Sequence, residues 1–469
     1  MNNKLHNSAG LKQFWLCIGL VASLQVFADN QPQHQPLTLQ QCRAMALKQN
    51  KSMEAATHQE KYAHHTALSF RANFLPNFEL NGMGAYSNID GSFGMAGGNL
   101  PTFLPDAAGQ PIPNGGFAYF PGMNLNYKLG WMYTGGISVE QPIYMGGKIR
   151  TAYRIARLGR QMASANRKLT EAEVLLESDQ AYTLVVKAQE MLEVARSYNL
   201  LLEELKKNVE SAVRHGLKPK NDLLKVQVKL NESELNIRRA ENGLRLAKMN
   251  LCHCIGLPLI SEVEIDSRLP EVPDGSQLAA SPTSDITQRP EYALLQHQEE
   301  IARQQVKLQQ SEMLPQVGIR GSYDYLHGVE VNDRTLFDKG AFTALLNVKV
   351  PLFHFGERIH KVRAAKAKWQ QTQAERENLN EQMTLELTQA ANNLDEARLE
   401  LAISERSLLQ ADENRRVSRS QYDAGTEPLS DLLEAQLMWQ QAWQTHVESR
   451  SQMYLKYVEY LKAAGRLQP

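Results

Sequence analysis

Two periods organise the apolar positions of this chain. From Val185 to Ala212 they fall at steps of three and four: Val185, Ala188, Leu192, Ala195, Tyr198, Leu202, Leu205, Val209, Ala212. A repeat of this kind, sustained so long, predicts a helix packed as a coiled coil. Two proline-free stretches carry the pattern, Lys148 to Val213 and Glu357 to Tyr422. At 1.5 Å per residue each makes a helix roughly 100 Å long. Shorter helices are expected over Thr38 to Asn73, Asn221 to Cys254, Ser284 to Met313 and Ser430 to Ala464.

The second period is two. In Trp131 to Gln141, Trp131, Tyr133, Gly135, Ile137 and Val139 alternate with Met132, Thr134, Gly136, Ser138 and Glu140. Val317 to Tyr325 and Phe342 to Val350 alternate in the same way, and Phe78 to Ser87 less cleanly. Each is about ten residues long with aromatics near its ends. Such strands suit an outer-membrane wall with the apolar face toward lipid. Between the first two lies Gly91 to Gly130, rich in Gly and Pro, which reads as a long loop.

The two patterns recur in one order. "GLKPKNDLLKVQ" at Gly216 and "GTEPLSDLLEAQ" at Gly425 share a G-x-x-P-x-x-D-L-L-x-x-Q frame, 209 residues apart. "PIYMGGK" at Pro142 and "PLFHFGE" at Pro351 keep the same offset. Internal repetition of this kind means one supersecondary plan used twice. The expected division is residues 1–28 as a signal peptide, 29–255 as a first repeat, 256–283 as a linker and 284–469 as a second repeat. The strand pairs fall at 76–142 and 315–351, the tips at 214–222 and 423–431. In each half one long helix matches two short ones placed end to end, which makes a rod. Four strands cannot close a barrel, and lipid tolerates no open sheet edge. The chain must therefore associate.

Charge and composition narrow the function. Lys plus Arg equals Asp plus Glu at 51 each, so nothing favours nucleic acid. Beyond the N-terminus no apolar run is long enough for a transmembrane helix. Lys4, Lys12, the apolar Leu11 to Leu24 and the Val26-Phe27-Ala28 site read as a cleaved signal. Cys17 lies in its apolar part and lacks the flanking residues of a lipid anchor. Outside the cytosol disulfides persist, and a bridge from Cys42 to Cys252 or Cys254 is expected. Cys252-His253-Cys254 does not read as a metal site, because residues two apart on a helix point to different sides. His64, His65 and the scattered methionines read as solvated or packing residues. No catalytic constellation or cofactor motif is evident.

The two turns hold the candidate chemistry. Gly216 and Gly425 follow long helices, where a positive φ is commonly needed. Pro219 and Pro428 stiffen the reversal, and Asn221 and Ser430 are expected N-caps. Asp222 and Asp431 lie in first helical turns, where the macrodipole favours a carboxylate. Glu434 follows Asp431 by three residues and shares its face. The first copy has Lys225 instead.

In these residues the chain resembles the TolC family of outer-membrane efflux proteins. "LTLQQCRAMALKQN", "CIGLPL" at Cys254, "RPEY" at Arg289 and both G-x-x-P-x-x-D-L-L turns carry the likeness, in order, over nearly the whole chain. The resemblance implies a mainly α fold that works as a homotrimer. A 12-stranded outer-membrane β-barrel would continue as a 12-helix coiled-coil tunnel through the periplasm. It implies a periplasmic adaptor and an inner-membrane pump of RND or ABC type as partners. The duct would be passive and perform no chemistry. Its cargo would be drugs and toxic compounds or, alternatively, a protein of a type I secretion system. Gly216, Leu217, Pro219, Gly425, Thr426 and Pro428 fall at adaptor-contacting tips. Asp431 and Glu434 match the acidic pore constriction, six acids in two stacked rings. The chain departs from the family at Glu427, where a basic residue is expected; Lys218 is placed to form the reversed pair. A secreted coiled-coil structural or adhesive protein is the reading from another class, and it needs no lipid-facing strands.

Overall fold

The computed structural model describes residues 36–273, 285–353 and 355–468. The expected signal peptide and the end of the linker lie outside them. Helices α1 (Leu39–Gln49) and α2 (Lys51–Ala72) open the chain. Strands β1 (Asn77–Tyr86), β2 (Asp90–Met95), β3 (Gly98–Pro105), β4 (Pro111–Phe120), β5 (Met123–Lys128) and β6 (Trp131–Met145) follow. Then come α3 (Lys148–Arg214), α4 (Lys220–Ile255) and, after a 3₁₀ turn at Ile286–Gln288, α5 (Pro290–Ser311). Strands β7 (Gln316–Val331) and β8 (Arg334–Lys349) precede α6 (Glu357–Asp423) and α7 (Leu429–Ala463).

The two long helices, α3 and α6, have 67 residues each. Near the sheet α2 packs on α3, α3 on α5 and α5 on α6; toward the far end α4 packs on α3, α3 on α7 and α7 on α6. Four helices therefore run side by side at either level. The expected single helix from Thr38 to Asn73 is two helices. Asn50 breaks it by accepting from the Ser52 N–H at 2.8 Å while its Nδ2 donates to the Cys254 carbonyl at 3.0 Å. One side chain thus caps α2 and fastens it to the end of α4.

The main core lies where these helix ends meet. Cys42, Tyr182, Val185, Val186, Leu251, Ile255 and Val458 are buried together. Leu37 pairs with Ile265 in a parallel bridge, which docks the linker on this core. The expected disulfide is not formed: Cys42, Cys252 and Cys254 are free and buried. Cys252 points its thiol at the Ser261 carbonyl at 3.7 Å. Burial in an apolar core pushes the Cys42 and Cys254 thiols up to about 12, so both sit as small hydrophobes.

The long strands run in the order β1-β6-β7-β8, all antiparallel. One cross-strand row reads Leu80, Ile137, Tyr323, Phe342. An adjacent row reads Glu79, Ser138, Ser322, Thr343 and points the other way. The apolar face is bare: Leu80 is 82% exposed and Phe342 74%. The edges of β1 and β8 have no partner among the described residues.

The expected loop from Gly91 to Gly130 is instead two hairpins. β2 pairs with β5, and β3 with β4. Gly and Pro were misleading there because a two-stranded ribbon tolerates both: its outer edges need no ladder donor, so Pro101, Pro105, Pro111 and Pro113 fit.

Candidate entrance gate at the helical tips

Both long helices stop in the same way. The Leu217 N–H donates to the Ala212 carbonyl at 2.8 Å and the Gly216 N–H to Val213 at 3.1 Å. In the second copy the Thr426 N–H donates to Gln421 at 3.0 Å and the Gly425 N–H to Tyr422 at 3.1 Å. This paired closure is a Schellman motif, and it needs a left-handed residue. Gly216 supplies φ +71° and Gly425 φ +76°. The following helices start one or two residues earlier than expected. Pro219 and Pro428 occupy the N-cap positions, with no side-chain cap, and Asn221 and Ser430 lie in the first turn. The Asp222 N–H donates to the Pro219 carbonyl at 3.1 Å and the Asp431 N–H to Pro428 at 3.3 Å.

The two copies part ways in their side chains. Asp222 is held against the protein, its side chain 16% exposed, and pairs with Lys225 at 3.8 Å. Its charge adds to burial in raising the Tyr422 phenol. Lys218 lies over the Tyr422 ring, 4.8 Å from its centre, as a cation–π contact. In α7 the pattern is sided. Leu432, Ala435, Gln436 and Trp439 are buried, while Asp431 and Glu434 are both exposed on the opposite face. Among the described residues Asp431 accepts only from the neighbouring Ser430 hydroxyl at 2.9 Å. Leu205, Val209, Val226, Tyr422, Leu429 and Leu432 form the small core that holds the two hairpins together.

The expected pairing of Lys218 with Glu427 does not occur within the chain. Glu427 accepts from Ser418 at 2.6 Å across the turn, and Lys218 is on Tyr422. Leu217 and Thr426 are exposed at the tips, with Gly216, Gly425, Pro219 and Pro428 beside them.

Sequence reading missed three tethers. Arg419 bonds Glu204 at 2.9 Å and Asp423 at 3.1 Å, so it straps α6 to α3 just behind the tip. Arg289 is buried and paired to Glu291 at 2.9 Å and Glu386 at 2.8 Å. Asp179 is fully buried, and Arg43 grips it through Nε at 2.7 Å and a terminal nitrogen at 2.5 Å. The Tyr454 hydroxyl donates to the same carboxylate at 3.3 Å. Burial and the Asp179 charge together raise the Tyr454 phenol. A signal for the last tether was present: Asp179 stands on the apolar stripe between Leu175 and Tyr182. A carboxylate at such a position needs a partner.

Among the described residues no group of three or more His, Cys, Asp or Glu is set to hold a metal ion, and no helix is long and apolar enough to cross a membrane.

Comparison with known proteins agrees with this fold. The chain is 22% identical over 412 residues to the outer membrane protein TolC of Vibrio cholerae, covering 81% of this chain and 91% of that one. It is 22% identical over 245 residues to the alkaline protease secretion protein AprF of Pseudomonas aeruginosa, covering 50% of this chain and 49% of that one. Its fold superposes on the crystal structure of the outer membrane protein VceC of Vibrio cholerae with a TM-score of 0.71 at 16% identity, over 91% of this chain and 96% of that one. The model of a family described as outer membrane efflux protein matches residues 43–257 and 285–466, and the chain belongs to that family.

Proposed function

We propose that this chain forms the outer-membrane duct of a tripartite efflux pump, built as a homotrimer. The observation that carries the reading is the two-faced sheet. Four long strands bare an apolar face on one side, keep a polar face on the other, and leave both edges open among the described residues. An open edge is not tolerated in lipid, so further copies must continue the ladder. Three copies give twelve strands, enough to enclose a channel. The same three copies set twelve helices around the axis at each level of the rod.

Six carboxylates from Asp431 and Glu434 then line the inner mouth, and stacked acidic rings select for cations. Asp222 contributes none, since Lys225 neutralises it. Gly216, Leu217, Pro219, Gly425, Thr426 and Pro428 form the exposed end that meets a periplasmic adaptor. An inner-membrane pump supplies the energy, and toxic small molecules are the cargo. The likeness to AprF keeps a second reading, the exit duct of a protein secretion system. The closed mouth cannot rely on a Lys218–Glu427 pair within one chain, because both groups are engaged elsewhere.

The test is extraction. The protein should stay with the outer-membrane fraction, require detergent, and give a native mass of three chains. Recovery as a water-soluble monomer from the periplasm would end this reading.

A further inference from the structure

The two open edges differ in length. β1 has 10 residues and β8 has 16. Their relative height is fixed by the row Asn77, Glu140, Arg320, Leu345. β1 begins at that row, while β8 runs past it to Lys349. The level at which strands meet helices therefore drops from β1 to β8, as it does in any barrel whose strands tilt. Suppose the β1 of the next copy starts at the depth where β8 ends. Its ten residues then lie opposite residues 340–349. The upper part of β8, Arg334 to Lys339, is left without a partner.

β2 is placed to provide one. It continues upward from the end of β1 with six residues, and its outer edge is free among the described residues. Its direction is right: β1 and β2 lead away from the helices and β8 leads back, so the pairing is antiparallel. Its faces are right too. β5 joins the β7 ladder with Tyr127 opposite Val331 and Lys128 opposite Glu330. That register sets Phe93, Met95, Leu125 and Tyr127 on the apolar side of the wall and Ser92 and Asn126 on the polar side. β7 has positive φ at Gly328 and Val329, but its register with β8 is the same on either side of them, so the ladder of the long strands carries on into the hairpin.

We propose that the β2–β5 hairpin is a subunit seam, in which β2 adds to the upper edge of β8 in a neighbouring copy of this chain. The stretch absent from the second repeat then serves to prolong the wall of the duct beyond the membrane. The proposal rests on the trimeric reading above.

Disulfide trapping tests it. Ser92→Cys is combined in turn with Thr335→Cys, Phe337→Cys and Lys339→Cys, all on the polar face, which brackets the register. Within one chain β5 and β7 separate Ser92 from Thr335 by about 14 Å at ~4.8 Å per strand, too far for a bridge. Oxidation of the purified detergent-solubilised protein should give covalent dimers and trimers from at least one pair. Single-cysteine variants should give none, and neither should Ser92→Cys with Asn347→Cys at the lower end of β8. A second variant replaces residues 91–127 with a short Gly-Ser turn. It should still reach the membrane, but its trimer should dissociate at a temperature several degrees lower. If native mass shows a trimer and no pair cross-links, or if the shortened trimer melts unchanged, the seam is refuted while the trimer stands. A monomeric mass would overturn both.

Discussion

Replacing Arg43 with methionine removes the cation from a fully buried carboxylate and should loosen α1 from α3. Asp179 has no exposure, and the Arg43 side chain is 16% exposed. Breaking a buried pair by deleting one partner costs roughly 3 to 5 kcal/mol, because a charge is left desolvated. Tyr454 still donates to Asp179 and Arg43 is partly wet, so about 3 kcal/mol is the expected loss. α1 has only 11 residues, and Arg43 lies on it, so the loss should appear as local opening. Hydrogen exchange read on a peptide covering residues 39–49 should speed up about 150-fold, at 1.4 kcal/mol per tenfold. Arg43→Met combined with Asp179→Leu should recover most of the protection, since an apolar pair of similar volume substitutes well. Tyr454→Phe should cost only about 1 kcal/mol. Unchanged exchange in Arg43→Met would refute the tether, and so would a double variant looser than both single ones combined.

Other outcomes follow from the same structure. Cys42 and Cys254, raised to about 12 by burial, should resist maleimide at pH 8 in the folded protein and react once it is unfolded. Their folded values lie above the unfolded one, so the stability they confer is complete below about pH 9 and fades as pH climbs toward 12; a denaturation series at pH 8 to 11 should show that decline. Gly425→Ala puts a side chain at φ +76°, where space is open but the backbone is strained. It should cost about 1 kcal/mol, and Gly425→Asn less, measured as exchange at the end of α6. Asp222→Asn should leave ion selectivity in a lipid bilayer as in the wild type, because its charge already faces Lys225.

Much of the rod can be read from the chain. The long helices begin at Gly147 and Gly356 and end at Gly216 and Gly425, where the apolar repeat stops and a positive φ is required. The strands show because each keeps an apolar face and a polar face, the condition under which a period of two survives. The rest depends on partners distant in sequence. Asn50 splits the first helix because its side chain meets a carbonyl 204 residues away. Asp179 and Arg43 are 136 residues apart, and Arg419 reaches Glu204 across 215. The hairpins between residues 90 and 128 were hidden because Gly and Pro mark turns and edge ribbons alike. The compartment outside the cytosol pointed to a Cys42 bridge, yet the thiols are free, and Cys252 turns to a carbonyl instead of Cys42. At the tips the shared Asp was visible, yet only the fold shows Asp222 tucked beside Lys225 and Asp431 bare with Glu434.

The central claim is an acid-lined duct, and single-channel recording addresses it most directly. The purified protein, in a planar bilayer under a salt gradient, should give discrete cation-selective openings. Asp431→Asn combined with Glu434→Gln should shift the reversal potential toward zero and relieve block by multivalent cations. Absence of openings, or a reversal potential unmoved by the double substitution, would contradict the account.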